Sequence, residues 1–362
     1  MARMRGDDRK SNPLYQICTT FFEDVLRDFR LGSKYDPEDS NRVYKKWWTR
    51  PGTLDDYSNG HLRDAYTQNL LLGRVLNDLQ YLYSATNSPD SVIQKDGEYS
   101  KRKETEGSSY SKLLYEIENR GSDIHVVIFG CGPASELWSL LFLLLHRKRY
   151  LGNNALRNTA KISKAILVDV APWGDVICAV KRSFNGNIQQ LFTTLPSKTG
   201  TNGYLCSEAV LCSSPIKNNQ DSIVSENCID HICPIIEFVN ENAFQTYKSD
   251  DPDGLQTFQL SETSVSHSFQ KTESFMRWLD RDKLNIIFVY RLTWDVTKEG
   301  MAAWFKDLSE ILLQQNISAE IFVADAYSTS NVFPELPGWK RHIVIEEGRE
   351  NMHRNFYFFT QN

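Results

Sequence analysis

The chain has 362 residues, 41% of them hydrophobic and 12% aromatic, and a formal net charge of -5. That supplies apolar material for one large core or two smaller ones. It excludes a wholesale nucleic-acid coat while leaving a local basic groove open.

Seven cysteines scattered through a chain of this length fit a reducing compartment better than a disulfide framework. Residues 1–10, MARMRGDDRK, lack the apolar run of a signal peptide. The densest apolar stretch, residues 137–145, is far shorter than the ~20 residues of a membrane span. The expectation is a soluble cytoplasmic or nuclear protein without membrane contact, its oligomeric state left open.

In chain order, residues 1–12 read as disordered. Residues 13–29 read as a helix, with Leu14, Ile17, Cys18, Phe21, Phe22, Val25, Leu26 and Phe29 on one face. A polar loop is expected over 32–41. Residues 42–50 then interleave Arg42, Lys45, Lys46 and Arg50 with Tyr44, Trp47 and Trp48. Cations for phosphates and aromatic faces for bases would make a substrate-binding platform for single-stranded RNA. The alternative is a helix with one tryptophan in the core and its basic side solvated. Residues 61–84 read as a second helix, carrying Leu62, Tyr66, Leu70, Val75, Leu79, Leu82 and Tyr83. Residues 1–100 thus form an N-terminal helical region that ends in a polar linker over 86–109. A short helix is expected over 111–119.

Residues 125–136 read HVVIFGCGPASE. An apolar run, Val126 to Phe129, breaks at Gly130, Cys131 and Gly132. Pro133 follows, placed for a first helical position, and a long apolar helix pattern runs from Ala134 to about Arg149. This is strand, glycine turn, helix: the ligand-facing corner of a doubly wound α/β sheet. The third glycine of a dinucleotide fingerprint is replaced by Ser135. Glu136 just behind the turn suits a ligand without phosphates. The segment FGCGPASE resembles motif I of the class I S-adenosylmethionine-dependent methyltransferases, with Gly130 and Gly132 at its glycine positions. The resemblance covers roughly residues 121–362. It implies a mostly parallel sheet ending in an antiparallel hairpin, with S-adenosylmethionine (SAM) as cofactor over Gly130, Cys131, Gly132, Pro133 and Glu136. It also implies that the N-terminal helices cap the cleft or hold substrate; the alternative is a packing appendage.

The next strand, 165–169, ends in Asp169. Its two oxygens are placed to accept both ribose hydroxyls of an adenosine; the alternative is a cap on the helix that starts near Trp173. Trp173 would flank the adenine, and its helix is expected to run to 192. Residues 193–227 read as a polar insertion within a Rossmann-like domain of residues 101–362. Cys206, Cys212, Cys228, His231 and Cys233 lack C-x-x-C spacing, so isolated thiols are expected rather than a metal. A third strand over 234–239 precedes Asn242, which the resemblance places near the adenine amino group. A short helix is expected over 273–279.

A fourth strand, 284–290, a helix over 300–314, a fifth strand, 319–324, and two closing strands over 339–345 and 355–360 complete the pattern. Tyr290, Asp325 and Tyr327 are candidates for a catalytic base, none singled out by spacing. Arg291 is a candidate substrate clamp. The expectation is methyl transfer from SAM, with RNA the favoured acceptor and protein or small molecules open. A catalytically silent SAM-binding sensor or scaffold, and an NAD-dependent oxidoreductase, are the alternatives.

Overall fold

The computed structural model describes residues 13–49, 54–87, 123–151, 161–188, 233–241, 275–290, 298–325, 336–349 and 352–362. The linker beyond Asn87, the helix expected over 111–119, the insertion at 193–227, and Asn242, Arg291 and Tyr327 lie outside them.

Helix α1, Pro13–Leu31, buries the expected apolar face: Leu14, Cys18, Phe21, Phe22, Val25, Leu26 and Phe29. The polar loop expected over 32–41 is shorter than the composition implied. Helix α2, Pro37–Trp48, begins inside it. Asp36 accepts the backbone N–H groups of Glu38 and Asp39 at 2.9 and 3.0 Å, and Pro37 occupies the first turn. Only Ser40 and Trp47 of α2 are buried, so its apolar period is faint while its start signal is strong. A short 3-10 turn, Leu54–Ser58, leads into α3, Gly60–Asn87.

The sheet follows. Strand β1, Asp123–Phe129, is followed by α4, Ser135–Leu151; β2, Lys161–Asp169, by α5, Gly174–Asn187. Then come β3, Ile236–Asn240; β4, Leu284–Tyr290; α6, Lys298–Gln314; β5, Ala319–Asp325; and β6, Trp339–Arg349, with β7, Met352–Gln361. Strands β1 and β2 start earlier than their apolar runs, at Asp123 and Lys161. The helix expected over 273–279 keeps helical form only at Phe275 and Met276 among its described residues, which a turn follows. The strand order is β3-β2-β1-β4-β5-β7-β6. Strands β1 to β5 pair in parallel, and β7 runs antiparallel between β5 and β6. This is a Rossmann-like sheet with a C-terminal antiparallel hairpin and an N-terminal helical region.

Alternate strand residues point to opposite faces, and both faces are covered. Ile124, Val126, Ile128, Leu167, Ile286 and Phe288 share one buried cluster with α4, α5 and the N-terminal helices. Val127, Phe129, Ile166, Val168, Ile287 and Val289 pack with Trp304, Phe305 and Leu308 of α6. Helix α4 is buried along its whole stretch from Ser135 to Leu145 because the sheet lies on one side and α1 and α3 on the other. The Phe21 ring meets that of Phe184 edge-on at 4.8 Å, and the Ser139 hydroxyl donates to the Val75 carbonyl at 3.1 Å. Among the described residues, no helix is long and apolar enough to cross a membrane.

Candidate functional site

The chain runs outward from β1 through β2 to β3, then returns to β4 on the other side of β1. In an open α/β sheet this reversal opens a crevice beyond the carboxyl ends of the strands. The glycine turn leaves β1 at that point. Gly130 and Gly132 have φ of 71° and 50°, the left-handed region where a Cβ is costly. Ala134, at φ 62°, is a third left-handed residue in the same turn. The N–H groups of Gly130 and Cys131 donate to the Val168 carbonyl at 2.8 and 3.3 Å, tying the turn to the end of β2.

Pro133 does not open the helix as expected. It lies in the turn, α4 starts at Ser135, and the Pro133 carbonyl accepts the Trp138 indole N–H at 2.8 Å. Cys131 is buried, and burial raises its thiol pKa well above the ordinary value.

Asp169 ends β2 as expected, but its oxygens are not both open to a sugar. Oδ2 accepts the Gly132 N–H and Oδ1 the Ala171 N–H, each at 2.8 Å. The side chain therefore braces the glycine turn against the turn after β2. Nor does it cap α5, whose N-cap residue is Trp173 without a side-chain hydrogen bond. With only 5% of the residue exposed, burial pushes the pKa up to about 6. The two N–H donors and the charge of Arg74 oppose that shift. From the far side, the Asn240 amide donates to the carbonyls of Asp169 and Val170 at 3.1 and 2.7 Å.

The N-terminal helices roof the corner. Arg74 of α3 brings its Nη1 within 3.8 Å of the point where a Cβ on Gly132 would stand. Its guanidinium lies over the Tyr66 ring, 5.0 Å from the centroid. The Trp173 ring meets those of Tyr57 and Tyr66 at 5.7 and 5.6 Å. Trp47 meets the same two tyrosines at 5.7 and 6.1 Å. Arg63 fixes this wall in place: it donates to the Tyr57 and Ser58 carbonyls at 2.7 and 3.0 Å and to Asp175 of α5 at 3.1 Å.

Of the two tryptophans expected as a stacking platform, Trp47 is 8% exposed and belongs to the core. Trp48, at 64%, keeps an open face and packs against Tyr44 at 5.8 Å. Glu136 is buried beside the turn. Desolvation and Asp78 of α3 raise its pKa above the usual carboxylate range, against the pull of Arg74.

The structure therefore gathers Gly130, Cys131, Gly132, Pro133, Glu136, Asp169 and Trp173 at one corner and brings Trp47 into contact with its aromatic wall. The backbones of Tyr290 and Asp325 end β4 and β5, the strands beyond the switch point. Arg74, Tyr57, Tyr66 and Asp78 were not singled out as site residues from the sequence. The available signal was Gly73-Arg74, a polar interruption of the apolar period in α3.

No protein-family model matches the chain, and no curated protein matches it. Among solved structures, the crystal structure of a point mutant of MtNAS covers 95% of this chain and 96% of that chain, at 10% identity and a TM-score of 0.24. A likeness of that size says nothing about activity.

Proposed function

We propose that the chain binds S-adenosylmethionine at the glycine corner and transfers its methyl group to an acceptor, with RNA the favoured acceptor class. The observation that supports this most is the side-chain-poor turn at the switch point of a seven-stranded sheet ending in an antiparallel hairpin. That is the layout implied by the resemblance of FGCGPASE to methyltransferase motif I. In this reading Gly130, Cys131, Gly132, Pro133 and Glu136 lie at the methionine end of the cofactor, with Trp173 and Asn242 at the adenine. A carboxylate oxygen can accept more than one hydrogen bond. A ribose hydroxyl would thus use acceptor capacity of Asp169 beyond the Gly132 and Ala171 N–H groups and the Trp173 side chain that already hydrogen-bond it.

Bound SAM would supply a methyl made electrophilic by its sulfonium, and an amine or hydroxyl acceptor taking that methyl from sulfur would give up a proton. The protein's main task is in-line positioning. Tyr290, Asp325 and Tyr327 are the candidates to take the proton, and Arg291 and Trp48 to hold the acceptor. An NAD-dependent reaction is disfavoured because the Gly132 N–H is engaged by Asp169 rather than facing a pyrophosphate.

Calorimetry with SAM and S-adenosylhomocysteine is expected to show binding by the wild type. Asp169→Ala should weaken it about 10-fold or more, since the turn loses its brace. Labelled methyl should pass from SAM into extract RNA and disappear on ribonuclease treatment. Binding without any label would point instead to a sensor or scaffold. No binding of either ligand would end the SAM reading.

A further inference from the structure

We infer that Tyr57 orients the methyl acceptor, its hydroxyl oxygen accepting a hydrogen bond from the N–H or O–H group that is to be methylated. This rests on the methyl-transfer reading above but concerns the acceptor, not the cofactor. Tyr57 lies in the 3-10 turn, Leu54–Ser58, that joins α2 to α3. Its ring meets Trp47 at 5.7 Å, and Trp47 meets the exposed Trp48 at the same distance. It also meets Trp173 at 5.7 Å. Tyr57 therefore stands between the basic, aromatic end of α2 and the glycine corner, where the charges of Arg74 and Asp169 act on its phenol.

The turn is held more firmly than a plain connection requires. Arg63, 6% exposed, donates from Nη1 to the Tyr57 and Ser58 carbonyls and from Nη2 to Asp175. Burying a guanidinium is costly unless it is paired, and here the pairing fixes the backbone under the Tyr57 ring. Trp47, Tyr66 and Trp173 pack against that ring. The hydroxyl is treated differently: among the described residues it forms no hydrogen bond, and Tyr57 is only half-buried. A rigidly held ring with an open hydroxyl is preorganised for contact with another molecule. Burial raises the phenol's pKa, Tyr66 and Asp169 add to the shift, and Arg74 opposes it. The group therefore keeps its proton near neutrality and is not a base, yet its oxygen can still accept a hydrogen bond. Such a bond turns the acceptor's lone pair toward the methyl. The proton released goes to a separate base, for which Tyr290, Asp325 and Tyr327 stay the candidates.

The test separates acceptor from cofactor with Tyr57→Phe, which removes the hydroxyl and keeps the ring contacts. Its thermal melt should match that of the wild type. Calorimetry should give an affinity for S-adenosylhomocysteine within about twofold of wild type. Transfer of labelled methyl from SAM into total RNA is then followed across a range of RNA concentrations. The rate at saturating RNA should fall about 10- to 100-fold, the order of effect of misaligned reacting atoms, with KM for RNA moving less than about threefold. The ratio of wild-type to variant rates should be flat from about pH 6 to about pH 9, since a group that keeps its proton adds no limb to the profile.

An unchanged rate, a loss confined to KM, or a matching loss of S-adenosylhomocysteine affinity would overturn the inference and leave the SAM reading intact. So would a ratio that changes with pH, which would make the phenol a base, or a variant that fails to fold, which would make the hydroxyl structural. Absence of label from the wild type would remove the reaction and the inference with it.

Discussion

The side of the sheet covered by α4, α5 and the N-terminal helices buries Arg63, Asp64, Asp78, Glu136, Asp169 and, at the amino end of β5, Glu320. The side under α6 buries one charged or imidazole side chain among the described residues, His125. His125 is held by the Trp278 carbonyl at 2.8 Å, and burial lowers its pKa. Neutral Asn285 on that side is fully engaged, donating to the Asp280, Lys283 and Ser318 carbonyls. Burying charge is expensive unless it is paired. The α6 side therefore follows the rules for a stable core. The other side carries more of that expense, and at Glu136 and Asp169 it falls at the crevice, where perturbed carboxylates mark a candidate functional site.

The sharpest way to break this contrast is to damage each side in turn. Trp304→Ala removes a fully buried ring from the α6 side and should cost about 3–5 kcal/mol in urea unfolding. It should leave SAM affinity within about twofold of wild type wherever the protein is folded, since uncoupled sites act independently. Loss of binding in that variant would mean the two sides are not separate.

Asp169→Ala should cost about 2–4 kcal/mol, because the Gly132 and Ala171 N–H groups lose their acceptor in a buried setting. Unlike Trp304→Ala, it should also lose binding.

The contrast also has a pH signature. The folded pKa of Asp169, about 6, lies above the ordinary carboxylate value. The stability contributed by its protonated form is thus fully present below about pH 4 and lost as pH rises through about 6, amounting to about 2–3 kcal/mol. Asp169→Asn cannot ionise, so urea midpoints measured from pH 4 to 7 should lack this slope in the variant. Parallel curves would show that Asp169 ionises as freely folded as unfolded.

Gly132→Ala should be milder, about 1–2 kcal/mol, through the left-handed backbone rather than a clash. The smallest stability effect belongs to Trp48→Ala, within about 0.5 kcal/mol for an exposed ring. If Trp48 stacks on a base, that variant should still weaken RNA by about 1–3 kcal/mol in filter binding. Unchanged RNA affinity would remove Trp48 from the substrate surface.

Much of the architecture could be read from local pattern. The apolar runs ending at Phe129, Asp169 and Tyr290 became parallel strands, and the run from Ala134 became a helix buried on both sides. Each carries its signal in consecutive residues. Where a polar beginning hid an element, as in α2 or the first residues of β2, the pattern was silent. The start of α2 lies at Asp36 and Pro37, a cap and a first-turn proline that the apolar period does not register.

The residues themselves determined that a strand turns through glycines into a helix at 130–135, and that an acid closes the following strand. Backbone sterics and hydrophobic period act over a few neighbours, so a sequence records them directly. Only the tertiary structure decided that Asp169 grips the turn instead of standing open, that Trp47 is core and Trp48 surface, and that Arg74 reaches across from α3. Those outcomes depend on which side chains meet after distant segments pack, a relation no short window of residues contains.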